Sequence, residues 1–452
     1  MAPSAVVAVS AIHLAGAVGV AQAEPSAISL GIDDAINLGL KHNLQILLGE
    51  STEKAVRGQT LSVVNYVLPN LKASVQSGAQ EINLAAMGFK PASLAGLGIK
   101  PGAFNEIVKV NTTSAQLSLD ETLFSLPDFY LYFAARKAAN VASLNLLNTR
   151  GAVVQAVGNQ YLAALADQAQ IANAKSLETA DEEVLRQASL SHDAGVGTNL
   201  DVLRARVQLQ QQQQAVVNAE NSFAKDKIAL NRLMGLPADQ ALTLTDTVPY
   251  AEYTDMRLDE AKRIAYERRK DLLSLEAQLE VADRVRKAVN YERVPTFAIN
   301  GFYGVLGETT GLYHGVFLAQ GTLRIPLSEE GRFRGEREAA EAQQRALHRQ
   351  IESLRLTIDA QLRSSLLDVQ SSAELVKVAR SNVDLAAEEL SDTRDRFAAG
   401  VADNLPVVQA QASLAAAQSR LIATQFQYNQ AKLQLARNTG VVESQYKTYL
   451  GR

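Results

Sequence analysis

Apolar and polar positions change rhythm repeatedly along this chain, and each change predicts an element. Ile32-Asp33-Asp34-Ala35-Ile36 opens an amphipathic helix running through Asn43-Leu44, with acids in the first turn, where a helix N-terminus favours them. A period of two then takes over at Leu71-Lys72-Ala73-Ser74-Val75-Gln76 and predicts a strand. A loop rich in Gly and Pro follows, and a second strand is expected around Ile107–Leu119. From Pro127 to Gly195 there is no further proline, enough chain for a helix on the order of 100 Å at about 1.5 Å per residue. A polar turn leads into another helix, in which Val202, Ala205, Leu209, Val216, Ala219, Phe223, Leu230 and Leu233 keep a 3-4 spacing.

The same order then runs a second time. Leu258-Asp259-Glu260-Ala261 repeats the opening helix at an offset of 226, and at that offset Pro69 meets Pro295. Strand-like runs follow at Phe297–Tyr303 and Val316–Ile325, and Gly331 to Gly400 is again free of proline. The turn and the helix after it match at an offset of 205: Gly195 with Gly400, Asn199 with Asn404, Leu200 with Leu405, Gly235 with Gly440. The change of offset places a length difference between the prolines and the glycine turns, much of it in the longer first hairpin loop. Leu362, Val369, Val376, Val383, Leu390 and Phe397 recur every seven residues, with a weaker counterpart at Val157, Ala164, Ile171, Glu178, Leu185 and His192. Sustained heptads predict left-handed supercoiling against a neighbour.

The expected organisation is a signal peptide over 1–23, one repeat over 24–250 and a second over 251–452. Strands are expected at about 70–82 and 106–120, then at about 295–306 and 314–326; the helical turns fall at 193–199 and 398–404. The fold class is mainly α with a small β part, built from long antiparallel coiled-coil helices and four strands per chain.

Composition sharpens this. Hydrophobic residues make up 47% of the chain but aromatics only 6%, with no Trp, which suits close helix seams better than a bulky globular core. The net charge of −4 gives no sign of a nucleic-acid partner. The absence of Cys removes disulfides, thiolate chemistry and a lipid-anchored cysteine. Residues 1–23 are uncharged and end Ala21-Gln22-Ala23, a cleavage pattern for export. No later run approaches the ~20 apolar residues of a membrane helix, so a membrane span would have to use strands. Four strands cannot close a barrel, and an open edge is not tolerated in lipid, so subunits would share strands. Three chains would supply about a dozen.

Several motifs in this order resemble the TolC-like outer-membrane efflux channel family. They are the helix opening at Ile32–Ile36 and again at Leu258–Lys262, the strand entry Pro69-Asn70-Leu71, the segment Ile325-Pro326-Leu327 before Gly331, and the turn Gly195 through Leu200-Asp201-Val202-Leu203-Arg204-Ala205. The resemblance covers roughly residues 30–440. It implies a homotrimer with a shared outer-membrane β-barrel and a long periplasmic α-barrel, acting as a passive exit duct. Its partners would be outer-membrane lipid, a periplasmic adaptor protein and, through it, an inner-membrane pump. It implies that Gly195, Gly197, Asn199, Leu200, Asp201, Gly400, Asn404 and Leu405 form tip turns where the adaptor docks. The family's ring of aspartates falls here on Pro406 and Gln409, neither of them acidic, leaving Asp403 as the acidic candidate or as a helix N-cap.

Arg394, Asp395 and Arg396 precede the second turn and are either a latch between neighbouring helices or ordinary surface charges. With Asp403 and Gln409, the two arginines complete the candidate gate. Gln210–Gln214 reads as a solvated face or a polar lumen, and His192 as a polar end residue or a pH sensor. No H-E-x-x-H, P-loop or G-x-S-x-G occurs, the histidines lack ligand spacing, and no cofactor or metal is expected, so the chain does not read as an enzyme. The competing reading is a periplasmic or surface coiled-coil protein, structural or adhesive, without channel activity.

Overall fold

The computed structural model describes residues 27–87, 107–247, 250–252, 256–399, 401 and 405–451. The export segment at 1–23 lies outside the described residues, as do Gly400, Asp403 and Asn404. The first half of the chain forms β1 (Ile28–Leu30), α1 (Ile32–His42), α2 (Leu44–Val64), β2 (Asn70–Asn83), β3 (Ile107–Phe124), α3 (Leu126–Asp193), α4 (Asn199–Met234) and β4 (Leu242–Leu244). The second forms α5 (Leu258–Arg268), α6 (Lys270–Asn290), β5 (Thr296–Glu308), β6 (Tyr313–Arg324), α7 (Glu330–Ala398), α8 (Leu405–Asn438) and α9 (Val442–Leu450).

The repeat is explicit in the element lengths. α1 and α5 are both 11 residues long, and α2 and α6 both 21. One extended residue, Asn43 or Arg269, breaks each pair. Asn43 caps α2 by accepting the Gln45 N–H at 2.9 Å and donates its amide to the Leu233 carbonyl at 2.8 Å. α4 ends at Gly235 (φ 70°) against the backbone of His42, and α8 at Gly440 (φ 77°) against that of Arg269. A left-handed backbone pressed on a neighbouring chain admits only glycine, which is why the sequence carries it at both places.

α3 and α7, at 68 and 69 residues, run the length of the helical part. α3 packs against α2 and α4 on one side and α6 and α8 on the other, and α7 packs against α6 and α8. The wall is therefore ordered α2–α3–α6–α7 near the strands and α4–α3–α8–α7 toward the far end. In α7 the heptad residues Leu362, Val369, Val376 and Leu390 are buried, and Ser365, Ser372 and Ala379 complete the seam. In α3 the outcome differs from the weaker stripe expected at Ile171, Glu178 and Leu185. Ala174, Asp181 and Ala188, three residues further on, are the buried positions, because small side chains there let α3 approach its partners closely.

The strands form one antiparallel sheet in the order β2-β3-β5-β6. Its register separates two faces. Leu71 pairs with Leu119, Ala73 with Leu117 and Val75 with Ala115; Leu117 continues to Tyr303 and Tyr303 to Phe317. This side is apolar throughout its lower part. The other side pairs Lys72 with Ser118, Ser74 with Gln116, Gln76 with Ser114 and Asn300 with Gln320, and carries a Lys72–Asp120 ion pair at 3.6 Å. On β5 and β6 this second side also carries Phe302 and Leu318, in the row of Ser118. One face is thus apolar across the sheet, and the other is polar on β2 and β3 and mixed on β5 and β6. The consistently apolar face has the pattern of a lipid-facing barrel wall. β2 and β6 each keep one unpaired edge within the chain. The first hairpin connection runs from Asn83 to Ile107, the second only from Glu308 to Tyr313. Among the described residues no helix is long and apolar enough to cross a membrane.

A belt lies against the wall at mid-height, beside Tyr161 of α3, where β1 and β4 pair in parallel. There the Tyr161 hydroxyl of α3 lies 2.9 Å from both the Leu30 carbonyl and Asp246 Oδ2, and Asp246 also receives the Ile32 N–H at 2.8 Å. Asp33 is held by Tyr446 at 2.7 Å and by Lys447 at 2.9 Å, fastening α9 to α1.

Candidate functional site

At the end away from the strands the wall finishes in two turns. α3 stops at Asp193, Gly195 takes φ 75°, and the N–H groups of Val196 and Gly197 both donate to the Ser191 carbonyl, at 3.0 and 2.9 Å. The reversal is tight enough that a Cβ on Gly197 would stand 2.9 Å from Ser191 Cβ. Thr198 then caps α4. Its hydroxyl donates to Asp201 Oδ2 at 2.7 Å and accepts the Asp201 N–H at 3.3 Å, while its own N–H donates to Asp201 Oδ2 at 3.2 Å. Asp201 is thereby held by the cap, with Arg204 at 3.8 Å. Asn199 and Leu200 open the helix on the exposed side.

In the second turn the Ala399 N–H donates to the Asp395 carbonyl and the Val401 N–H to that of Arg396, both at 3.0 Å. Leu405 opens α8 with Pro406 behind it, a position that needs no N–H partner. Arg394, Arg396 and Gln409 are all exposed.

The two hairpins enclose a cleft of about 1210 Å³, lined among others by Leu190, Val196, Gly197, Asp201, Arg394 and Val407. The fold thus brings Arg394 of the second hairpin to one cleft with Gly197 and Asp201 of the first. Arg396 and Gln409 are not among its lining residues. Above it a small apolar joint of Leu390, Val407 and Ala410, packed by Val184, Phe397 and Leu414, ties the hairpins together. Within the first hairpin, buried Asp181 has its carboxyl pushed up to about 6 by burial, opposed by a hydrogen bond from Gln208 and by the charge of Arg394.

Several residues of this end escape a motif reading. Val196 is 83% exposed and Val401 73% exposed, and Leu200, Leu203 and Val207 form an open apolar stripe on α4. That stripe lies beside the buried Ala205 seam, and only a second, offset 3-4 pattern in the sequence marks it. Asp181 is hidden because a heptad count started on the apolar residues passes it by. The groups assembled here are caps, charges and apolar knobs, suited to gripping a protein partner or another helix. Among the described residues no group of three His, Asp or Glu is placed to hold a metal ion.

A family model described as outer membrane efflux protein matches residues 39–236 and 263–441. The chain is similar to the alkaline protease secretion protein AprF of Pseudomonas aeruginosa, 24% identical over 437 residues, covering 92% of this chain and 86% of that protein. Among solved structures, a membrane protein from Pseudomonas aeruginosa superposes with a TM-score of 0.78 at 21% identity, over 90% of this chain and 93% of that one. The CmeC outer membrane channel of Campylobacter jejuni does so with a TM-score of 0.78 at 12% identity, over 91% and 86%.

Proposed function

Since the chain belongs to the outer membrane efflux protein family, we propose that it is the outer-membrane exit duct of a tripartite efflux or secretion system, a passive homotrimeric channel gated at its helical tip. The observation that carries this reading is the sheet: one face apolar across all four strands, an opposite face polar on β2 and β3, and two unpaired edges. Backbone edges left open in hydrocarbon cost several kcal/mol per unsatisfied group. Pairing β6 of one copy with β2 of the next removes them, and three copies close a barrel of about twelve strands. The helical walls then close into a periplasmic α-barrel beneath it.

At the tip, the glycine turns and the open stripe of Leu200, Leu203 and Val207 offer apolar knobs to a periplasmic adaptor protein, which links the duct to an inner-membrane pump. Arg394 and Arg396 act as a latch between neighbouring helices at the closed tip, a role supported by the field of Arg394 on buried Asp181. Export by cleavage after Ala23 completes the route to the outer membrane. The secretion named in the relative AprF favours a secreted polypeptide among the cargo classes such ducts carry.

The deciding experiment is light scattering on the purified mature chain in detergent. A protein mass of three chains is the expected result. A monomer or dimer that stays in solution without detergent overturns the duct and favours a coiled-coil structural protein.

A further inference from the structure

The wall between belt and strands contains a second cavity, of about 610 Å³, unrelated to the tip. Residues of α2, α3, α6 and α7 all line it. These four helices stand side by side in that order, so a space reached by both outer members, α2 and α7, lies on the concave side of the arc. On the convex side their side chains diverge. In a closed α-barrel the concave side is the lumen. The recess therefore opens into the duct, and this assignment rests on the duct reading proposed above. Counted along α3, it lies about 20–30 Å below the strands at about 1.5 Å per residue.

Its chemistry differs from that of the helices that make it. α7 is dense in charge here: Arg337 and Arg345 approach Glu341 at 3.9 and 3.8 Å, and Arg349 pairs with Glu352 at 3.0 Å. Yet Ala340, Gln343 and Leu347, at 3-4 spacing, turn an uncharged stripe to the recess. α6 behaves alike, with Glu276 and Glu280 engaged by Arg355 and Lys137 and the recess receiving Gln278, Val281, Ala282 and Val285. No lining residue carries a charge. Alanines from three helices (Ala138, Ala142, Ala282 and Ala340) keep it open where larger side chains would fill it as an ordinary seam. Gln59, Gln278 and Gln343 supply neutral donors and acceptors among the apolar walls.

A space of this size is in the range that encloses a small molecule. Without a charge in the lining, an ionised group would lose its hydration with nothing in return. We infer that this recess is a binding site in the duct wall for uncharged, lipophilic cargo of small-molecule size, held through apolar contact and the glutamine amides during passage. A secreted polypeptide, the cargo class favoured above, would span the lumen without depending on an open recess at one level, so the occupant of the recess itself is the small lipophile, passing by the same duct.

The test uses the full-length mature protein assembled in lipid nanodiscs, with the neutral carbene precursor 3-trifluoromethyl-3-phenyldiazirine as probe and adducts mapped by mass spectrometry. Lipid-facing Tyr303 and Phe317 report the membrane-embedded strands in the same sample. The expected result is adducts on the strands and also on Val141 and Val281, the latter suppressed by excess of a non-photolysable phenyl analogue. Ala282→Leu and, separately, Ala142→Leu are expected to lower recess labelling at least fivefold with strand labelling and particle mass unchanged. Labelled strands with no adducts over 138–149 or 278–285 overturn the recess and leave the duct intact. Recess labelling equal in both filled variants and the parent, with mass unchanged, overturns it too. Unlabelled strands in a particle without the mass of three chains overturn the duct reading, and the recess loses its lumen with it.

Discussion

The two repeats have four matching helices of equal or nearly equal length, yet their long staves are built differently. Both bury a line of small positions, Ala379 and Ala386 on α7 and their counterparts Ala174 and Asp181 with Ala188 on α3. α7 adds a regular ladder of Leu362, Val369, Val376 and Leu390 that the lower half of α3 lacks. The difference follows from position. α3 is flanked on both sides by helices of its own chain, while among the described residues the main helix partners of α7 are α5, α6 and α8. A stave pressed from both sides does best with small residues that let axes approach, and one with a freer flank uses larger knobs. Duplication supplied one pattern, and the neighbours selected two versions of it.

The comparison is sharpest where the repeats should fail alike. Gly235→Ala and Gly440→Ala each force a side chain onto a left-handed residue abutting a neighbouring backbone. Each is expected to cost at least about 3 kcal/mol, read as a lower urea midpoint of the assembled particle by circular dichroism. Unequal losses would mean the belt depends on one repeat more than the other.

Next in size, Leu362→Ala removes a fully buried knob of α7 and is expected to cost about 2–4 kcal/mol. Ala164→Gly, on α3 at the position matched by offset to Val369, the next rung of the same ladder, should cost about 1 kcal/mol from helix propensity. Equal losses in the same urea titration would contradict the division between large-knob and small-residue staves.

Asp181 gives the third contrast, since its counterpart in the second repeat is Ala386. Its carboxyl is raised in the folded state from 3.8 to about 6, so the fold holds that proton more tightly than the unfolded chain does. Stability contributed there falls as pH rises from about 4 to about 6 and stays at its lower level above. Asp181→Leu is expected to stabilise the first hairpin by about 1–2 kcal/mol at pH 7.5 and to abolish that slope. Amide exchange over 174–190 at pH 5 and 7.5 measures both, and an unchanged slope in the variant would assign the pH response elsewhere.

The smallest effect concerns the exposed arginines before the second turn. Arg394→Gln with Arg396→Gln is expected to raise the resting conductance of reconstituted channels about two- to fivefold, in keeping with roughly 1 kcal/mol from partly screened charges. Unchanged conductance removes the latch and leaves the duct standing.

Much of this architecture is legible in the sequence because its rules are periodic. The glycines ending α4 and α8, the seven-residue ladder of α7 and the alternation of β2 each follow from one short-range pattern. β6 is harder to read because Phe317 and Leu318 put large apolar groups on both faces, and only the pairing of Tyr303 with Phe317 tells the faces apart. The tip was legible as two turns, but Thr198 as the cap and Val196 as its exposed knob emerge only from the backbone path. The uncharged recess draws its lining from stretches nearly 300 residues apart, Gly49 to Leu347, which no local pattern connects.

The belt has a mechanical consequence. α3 passes through it as one unbroken rod, pinned by the Tyr161 hydroxyl, and continues for roughly 50 Å to the tip at about 1.5 Å per residue. A rod held at one point is a lever, and a tilt of about 10° at that fulcrum swings its far end by about 8 Å. Because α3 reaches about as far above the belt, from Tyr161 to Leu126, as below it, the same tilt moves its two ends in opposite directions by similar amounts. Small adjustments of a few hydrogen bonds at the collar are therefore felt at both the strands and the turns.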